Sequence, residues 1–233
     1  MTGTIINAAL ILVGGFIGLL ARTNIADRYQ KIILSGLGLF TLAIAFGLFL
    51  HGEESLVILG SVLLGSLLGE WLQIEQRLSR LGTRIETWYA HANGAAADDT
   101  FVRGFVSASL LFCIGPMAIL GSIQDGLSGD FQLLLIKSVM DGFAAMALTT
   151  SLGVGVIFSV ISVFVYQGAI SLLAAQMQTI LTGPMINELN AVGGILLLGL
   201  AISTLLEIRQ IKVGNMLPAL ILAPIFMALV SLF

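Results

Sequence analysis

The feature that most constrains this chain is a series of apolar stretches, each about as long as a lipid bilayer is thick. A helix needs about 20 predominantly apolar residues to cross the hydrocarbon core of a membrane. Hydrophobic residues make up 58% of the 233-residue chain and charged residues 10%, against about 25% charged residues in soluble domains. We therefore predict an all-α, polytopic transmembrane helical bundle that forms one membrane domain over residues 1–233. The predicted spans, about eight in number, are Thr4–Ala21, Ile32–Leu50, Ser55–Ile74, Val102–Ile123, Phe131–Thr149, Gly153–Ala175, Leu189–Leu206 and Val213–Phe233.

The boundary between the fifth and sixth predicted spans is the least defined one. Only the short segment Thr149–Gly153 separates them. If this segment does not reach the membrane surface, one of the two spans is a re-entrant hairpin. The alternative count is then seven crossings.

The positions of the charged residues predict the orientation, because cytoplasmic connections carry an excess of Lys and Arg. Basic residues lie in the first, third and seventh connections, and acidic residues lie in the second, fourth and sixth. We therefore predict that the basic connections are cytoplasmic and that both termini are outside. The basic set is Arg22, Arg28, Lys31, Arg77, Arg80, Arg84, Arg103, Arg209 and Lys212, and the acidic set is Glu53, Glu54, Asp125, Asp130 and Glu188.

The third connection is the only long one, and its pattern predicts an amphipathic surface helix over residues 75–92. Such a helix lies in the interface with its apolar side towards the lipid. One interpretation is a simple anchor on the cytoplasmic leaflet, and the other is a docking site for a cytosolic protein. The predicted apolar face is Ile74, Leu78, Leu81, Ile85 and Trp88, and the basic face is Arg77, Arg80 and Arg84.

A charged pair lies within the fifth predicted span. Lys137 and Asp141 are four residues apart, so they share one face of a helix. Ionisable residues inside a membrane are costly and therefore indicate function by default. One hypothesis is a structural pair that neutralises itself. The other is a gated pair, in which a cation or proton competes with Lys137 for Asp141.

The fourth predicted span contains helix-breaking residues. Pro116 removes a backbone hydrogen bond, and Gly115 and Gly121 weaken the helix further. Broken helices in transporters form ion and substrate sites near the midplane, although a proline kink that only shapes the bundle is the alternative.

Further polar residues could extend a pathway from the charged pair. Asp125 is a candidate vestibule acid on the outer side, whereas Asp130 directly precedes the fifth span and is predicted to cap it. Tyr166, Gln167, Ser159 and Ser162 could line a path or form interhelical hydrogen bonds, and Asn7 is a weaker candidate. The predicted pathway set is Asp141, Lys137, Asp125, Gly115, Pro116, Gly121, Ser138, Tyr166 and Gln167.

Several function classes are excluded by composition and motifs. The net charge of −3 argues against a nucleic-acid binder, and no Cys/His cluster resembles a zinc site. There is no P-loop, G-x-S-x-G or HExxH motif, so we predict no enzyme, no metal and no cofactor. The small-residue ladder Ser61, Gly65 and Gly69 predicts either packing inside the bundle or a homo-oligomeric face.

Four segments of the chain resemble the YqgA-like family of bacterial inner-membrane proteins, a domain of unknown function. The resemblance covers nearly the whole chain and implies a multi-pass inner-membrane protein of a kind expected to transport solutes. It implies no substrate and no site residue. The segments are Gly3–Asn7, Gly14–Gly18, Phe112–Gly126 and Lys137–Phe143.

These observations lead to two functional hypotheses. The first is a transporter or channel for a small solute or ion, with a pathway through the fourth to sixth spans. The second is a non-transporting scaffold or regulatory subunit that docks through the helix at residues 75–92. The predicted partners are the lipid bilayer and an unidentified small solute or ion, with a homo-oligomer as the alternative use of the small-residue ladder.

Overall fold

The computed structural model describes residues 1–22, 27–93, 99–114 and 116–231, and those ranges contain helices and no strand. The prediction of an all-α polytopic bundle is confirmed. A π-helical segment, Ala201–Leu205, continues α10, and a 3₁₀ turn, Val213–Met216, precedes α11. The α-helices are α1 Thr2–Arg22, α2 Asp27–Phe49, α3 Ser55–Leu72, α4 Ile74–Asn93, α5 Asp99–Cys113, α6 Pro116–Ser128, α7 Gln132–Leu152, α8 Gly155–Leu172, α9 Ala174–Ile180, α10 Gly183–Leu200 and α11 Ala219–Val230.

Among the described residues, six helical segments are long and apolar enough to cross a membrane. They are α1, α3, α7, α8, α10 with its π segment, and α11 with its 3₁₀ turn. The pair α5 and α6, bent by 63°, adds a seventh if it forms one broken span. The count of eight stays a prediction, because the apolar part of α2, Ser35–Phe49, is shorter than a usual span.

The helices run between two ends of the bundle that differ in charge. Ile123 of α6, Ala174 of α9 and Leu189 of α10 pack in one cluster, which places nearby Asp125 and Glu188 at the same end. We call this the acidic end. The opposite end holds Arg22 and Arg103, and we call it the basic end.

The bent pair α5–α6 passes from the basic end to the acidic end. Near the start of α5, Gly104 packs against Leu152, the last residue of α7. Near the end of α6, Gly126 packs against the carbonyl of Ser171 close to the end of α8. The two helices together therefore follow the path that was predicted for one span, with a break at its middle.

Helices α7 and α8 each run the length of the bundle, so neither of them is a re-entrant hairpin. They are connected by Gly153 and Val154. Gly153 has φ +75°, a conformation that glycine adopts without steric cost. A Cβ atom there would lie 2.5 Å from Arg22 Nη1. The weak boundary predicted at Thr149–Gly153 is thus a tight turn at the basic end.

The predicted start of the seventh span, Leu189, lies six residues after the start of the corresponding helix in the structure. Helix α10 begins at Gly183, with Pro184 in its first turn, where a missing N–H has no consequence. The prediction began the span at Leu189 because Glu188 resembled a connection residue. In the structure Glu188 lies inside the helix and is fully buried.

The predicted surface helix is present as α4, but its apolar face is divided. Leu78 packs on the core cluster, and Gly82 contacts Phe105 of α5. Leu81 and Trp88 are 45% and 68% exposed. The helix therefore packs on the bundle with one side and presents these two side chains on another.

Glycines bring two helix pairs into backbone contact. A Cβ on Gly14 would lie 2.0 Å from the carbonyl oxygen of Gly142, which fixes α1 against α7. A Cβ on Gly69 would lie 1.8 Å from the carbonyl oxygen of Asn215, and Gly65 meets the backbone of Ala219. Because α11 and its 3₁₀ turn cover Gly65 and Gly69, the ladder packs within the chain and does not form an open dimer face.

Candidate functional site

A buried polar cluster joins α1, α7 and α8. Asn7 donates through Nδ2 to Asp141 Oδ2 at 3.0 Å and to Gln167 Oε1 at 3.2 Å. Lys137 Nζ forms an ion pair with the same Asp141 oxygen. No member of the cluster is more than 8% exposed. Asn7 of α1 thus links the Asp141 carboxylate of α7 to the Gln167 amide of α8.

The position of the cluster follows from the helices that carry it. Asp141 is nine residues into α7, about 13 Å from its start at a rise of 1.5 Å per residue. Gly142 lets α1 approach closely enough for Asn7 to reach the carboxylate. Lys137 precedes Asp141 by one turn and therefore lies on the same face. The cluster is inside the bundle, well below the acidic end.

Several atoms around this cluster have no hydrogen-bond partner among the described residues. They are Asn7 Oδ1, Gln167 Nε2 and Thr4 Oγ1, and all three are inaccessible to solvent. An unsatisfied buried polar atom costs about 1–3 kcal/mol. Asn7 must turn its amino group towards the carboxylate, which leaves its oxygen free. The network therefore has donors and an acceptor to spare.

A groove of about 600 Å³ lies beside the charged pair. Among the described residues that line it, Lys137 and Asp141 are the only charged ones and Thr41 is the only other polar one. Ile114 and Met117 flank the α5–α6 break and also line the groove, so the break opens onto it. The other lining residues are Leu37, Phe40, Ile44, Leu48, Leu111, Phe112, Met140, Phe143, Ala144 and Leu197.

The helix-breaking residues have different roles. Helix α5 ends at Cys113 and α6 begins at Pro116, which places the proline at the helix start, where it is tolerated. Gly115 lies outside the described residues. Helix α6 continues through Gly121, and a Cβ there would lie 2.9 Å from Leu134 of α7. Gly121 therefore permits close packing and does not break the helix.

Asp125 does not lie at an open vestibule, contrary to the prediction. Its side chain is fully buried. Oδ2 accepts the Gly3 N–H at 3.0 Å, and Oδ1 lies 3.1 Å from the Met1 amino nitrogen. A carboxylate at the first turn of α1 satisfies a free N–H and complements the helix dipole. Phe131, not Asp130, is the N-cap of α7, but Asp130 still accepts the Gln132 N–H at 3.1 Å from one residue earlier.

The remaining predicted pathway residues are not part of the cluster. Ser138 donates to the Leu134 carbonyl of its own helix at 2.5 Å. Tyr166 packs against the apolar cluster around Ile123. Ser162 bonds to Ser109 across α5 and α8 at 2.9 Å. Of the predicted set, the structure brings together Lys137, Asp141 and Gln167.

A second buried acid, Glu188, has a different type of partner. Its Oε1 accepts the backbone N–H groups of Glu53 and Glu54, each at 2.8 Å. These N–H groups lie at the start of α3. The sequence analysis missed this role because it placed Glu188 in a connection.

The basic end holds exposed ion pairs and a half-buried acid. Arg103 pairs with Glu207 and donates to the Thr204 carbonyl at 3.2 Å. Glu75 Oε2 accepts the Gly214 N–H at 3.0 Å. Desolvation nevertheless raises the pKa of Glu75 above its ordinary value. The described residues contain no group of three or more His, Cys, Asp or Glu side chains suited to a metal ion.

Comparisons with known proteins agree with the resemblance found in the sequence. Residues 2–228 match the family described as "Protein of unknown function (DUF554)". The chain is 31% identical over 237 residues to "Uncharacterized membrane protein YdfK" of Bacillus subtilis, covering 100% of this chain and 98% of that protein. It is also 31% identical over 221 residues to "Uncharacterized protein YqgA" of Escherichia coli, covering 95% and 94%. No solved structure matches the chain. The chain therefore belongs to the DUF554 family of unknown function, and its resemblance to the YqgA-like proteins is confirmed.

Proposed function

We propose that this protein is a membrane transporter or channel for a small solute or ion, with its polar site at the Lys137–Asp141 pair. The observation that carries the proposal is the buried polar cluster on α1, α7 and α8, which is built around the Asp141 carboxylate. Asn7 Oδ1 and Gln167 Nε2 in this cluster have no hydrogen-bond partner among the described residues. A purely structural ion pair is stable in an apolar interior only when its hydrogen-bonding groups are satisfied. Here the spare capacity is available to a solute.

The pair works as an exchange site in this proposal. An entering ion replaces one member of the Lys137–Asp141 contact, and the amides of Asn7 and Gln167 supply the remaining hydrogen bonds. Exchange avoids the cost of leaving a charge unpaired in the membrane. The released side chain then faces the groove, to which both charged residues already contribute.

The break between α5 and α6 provides a place for movement. It lies at the edge of the groove, and the two helices differ in direction by 63°. Irregular backbone at membrane depth is tolerated only where protein or a cavity satisfies it. Rotation of α6 about this break would change access to the pair without separating α1 from α7.

Transport is tested with purified protein in liposomes, by measuring solid-supported-membrane currents for a panel of cations, anions and amino acids. We expect a solute-dependent current in the wild type that Asp141→Asn abolishes. Asp130→Asn is the matched control, since Asp130 is an exposed acid whose hydrogen bond to the Gln132 N–H asparagine can retain. The proposal fails if no solute gives a current, or if Asp141→Asn conducts like the wild type while remaining folded.

We further propose that the protein resides in the bacterial inner membrane with both termini outside. The distribution of Lys and Arg between the connections supports this orientation. Fusions of alkaline phosphatase and of green fluorescent protein to the C-terminus test it. Phosphatase activity with a dark fluorescent fusion supports the proposal, and the reverse result contradicts it.

The second candidate function is a scaffold that docks a partner through α4. The exposed side chains of Leu81 and Trp88 favour it, although an interfacial anchor explains the same exposure. Trp88→Ala and Leu81→Ala separate the two functions. A scaffold would lose its co-purifying partner with currents absent in all variants, whereas a transporter would keep its current.

A further inference from the structure

We propose that the groove beside Lys137 binds a single-chain amphipathic carboxylate, with the carboxylate on the Lys137 ammonium and the chain along α2 and α7. The inference rests on the proposed function and names the substrate class of the same site. It follows from three properties of the groove: its apolar walls, the unfilled donors of Lys137, and its size.

The walls of the groove suit a hydrocarbon chain. Thr41, the one uncharged polar side chain among the described lining residues, already donates its hydroxyl to the Leu37 carbonyl at 2.8 Å. Phe40 and Phe143 line the groove and are 55% and 65% exposed. Because these rings lie on the outer surface of apolar helices, a molecule dissolved in the bilayer can enter from the side. When the hydrocarbon chain of the ligand lies against these walls, no polar group of the wall loses a hydrogen-bond partner.

The head-group site is the ammonium of Lys137. An ammonium has three N–H donors, and Asp141 is its only hydrogen-bond partner among the described residues. Within the described part of the chain, two of its donors thus have no partner in apolar surroundings, where an unsatisfied polar group is costly. An anionic oxygen satisfies them.

The same geometry disfavours a cationic head. Asp141 Oδ2 already accepts from both Lys137 and Asn7. A second cation would also lie against the Lys137 ammonium, and like charges repel strongly where the dielectric constant is low. An anion on Lys137 would also approach Asp141, but two N–H groups already donate to that carboxylate oxygen. The unfilled donors of Lys137 therefore favour a negative head group.

The size of the groove favours one chain over two. A groove of about 600 Å³ lies within the range of about 300–1,000 Å³ that is typical of small-molecule sites. A carboxylate with one chain of about 12–16 carbons is a ligand of that class. A phospholipid with two chains is larger, and only part of it would fit.

Binding is tested with full-length protein in phosphatidylcholine nanodiscs, using a dansyl-labelled undecanoate as fluorescent probe and empty nanodiscs as the blank. Dodecanoate, dodecanol and dodecylammonium compete for the probe. We expect dodecanoate to displace it at a concentration at least tenfold lower than the other two. Equal displacement by all three would overturn the proposal, since the groove would then recognise only an apolar chain.

Two variants locate the site. Ala144→Phe narrows the groove without altering a charge, and we expect it to weaken dodecanoate binding at least tenfold. Val165→Phe adds the same ring at a position on α8 that is 64% exposed and does not line the groove, and binding should stay unchanged. Equal effects of the two variants would overturn the proposal. Displacement of the probe by phosphatidylglycerol as effectively as by dodecanoate would also overturn it and would identify a bilayer lipid as the occupant.

The double variant Lys137→Met/Asp141→Leu removes the charges together and avoids leaving one of them alone. We expect it to bind dodecanoate no better than dodecanol; retained preference for the carboxylate would overturn the proposal. Failure here is distinguishable from failure of the proposed function. Asp141-dependent currents without dodecanoate binding would refute only the proposed substrate class. Dodecanoate binding without any current would refute only the proposed transport function.

Discussion

Two buried acids, Asp141 and Glu188, are held in the bundle by different means. Glu188 accepts the backbone N–H groups of Glu53 and Glu54 just before α3, and backbone groups cannot rotate away as side chains can. Asp141 is held by the side chains of Lys137 and Asn7, which can rotate. A buried charge is thus not by itself a sign of function in a membrane protein. The mobility of its partners distinguishes an exchangeable site from a structural cap.

Asp125 belongs with Glu188 in this comparison. It accepts the Gly3 N–H at the start of α1, as Glu188 does at the start of α3. Both caps lie at the acidic end, and each fixes the entry of a glycine-rich helix into the bundle. The Lys137–Asp141 pair is the exception, and it is the pair that lines a groove.

The largest expected effect is that of Lys137→Met, which leaves Asp141 without its cation. Breaking a buried pair by removing one partner costs about 3–5 kcal/mol, so the free energy of unfolding should fall by that amount in a detergent-unfolding titration. The double variant Lys137→Met/Asp141→Leu should recover most of the loss. A double variant as unstable as the single one would contradict the view that the instability comes from the unpaired charge of Asp141.

Gly14→Ala should have the next largest effect, because the new Cβ would meet the Gly142 carbonyl oxygen at 2.0 Å. Overpacking typically costs about 1–3 kcal/mol, and the separation of α1 from α7 would also withdraw Asn7 from Asp141. Gly47→Ala is the matched control, since nothing lies within 4 Å of its Cβ position. We expect that control to be neutral or more stable by up to about 1 kcal/mol.

Glu188→Leu tests the other side of the comparison. It removes the acceptor of two backbone N–H groups, and we expect a loss of about 1–3 kcal/mol in unfolding with unchanged current per folded molecule. Glu188→Gln retains an acceptor oxygen and should lose less. Loss of current in a stable Glu188→Gln protein would show that the two acids do not differ as argued here.

The smallest expected effect concerns Glu75, a half-buried acid at the basic end. Since burial raises the pKa of Glu75 above 4.5, the folded state favours the protonated form. Stability should therefore decrease as pH rises from about 4.5 through the raised pKa. Glu75→Gln should flatten this dependence, as measured by unfolding at a series of pH values. A dependence of the same slope in the variant would assign it to other groups.

Much of the fold was predictable from the length of the apolar stretches, because the bilayer sets the length of a crossing helix. The amphipathic α4 was likewise predicted within one residue at each end. The start of α10 was not predicted correctly, because a glutamate such as Glu188 is expected at the surface. Its burial is explained only by the backbone N–H groups of Glu53 and Glu54, which are distant in sequence. The break after α5 was indicated by Pro116, but the amount of bending depends on packing.

The candidate site was partly predictable for the same reason. Lys137 and Asp141 stand out because they are charged and four residues apart within one apolar helix. Asn7 was only a weak candidate, because its partners lie on α7 and α8, far along the chain. Asp125 was misplaced at a vestibule, since the sequence gives no sign that the start of α1 covers it.

We claim that Asp141 is an exchangeable transport site and that Glu188 is a structural cap. The most direct test compares Asp141→Asn and Glu188→Gln in one transport experiment. Each substitution neutralises one buried acid and preserves its size, and currents are recorded in liposomes with equal amounts of folded protein. We predict that a solute-dependent wild-type current is lost in Asp141→Asn and retained in Glu188→Gln. Retention in Asp141→Asn, or equal loss in both variants, would contradict it.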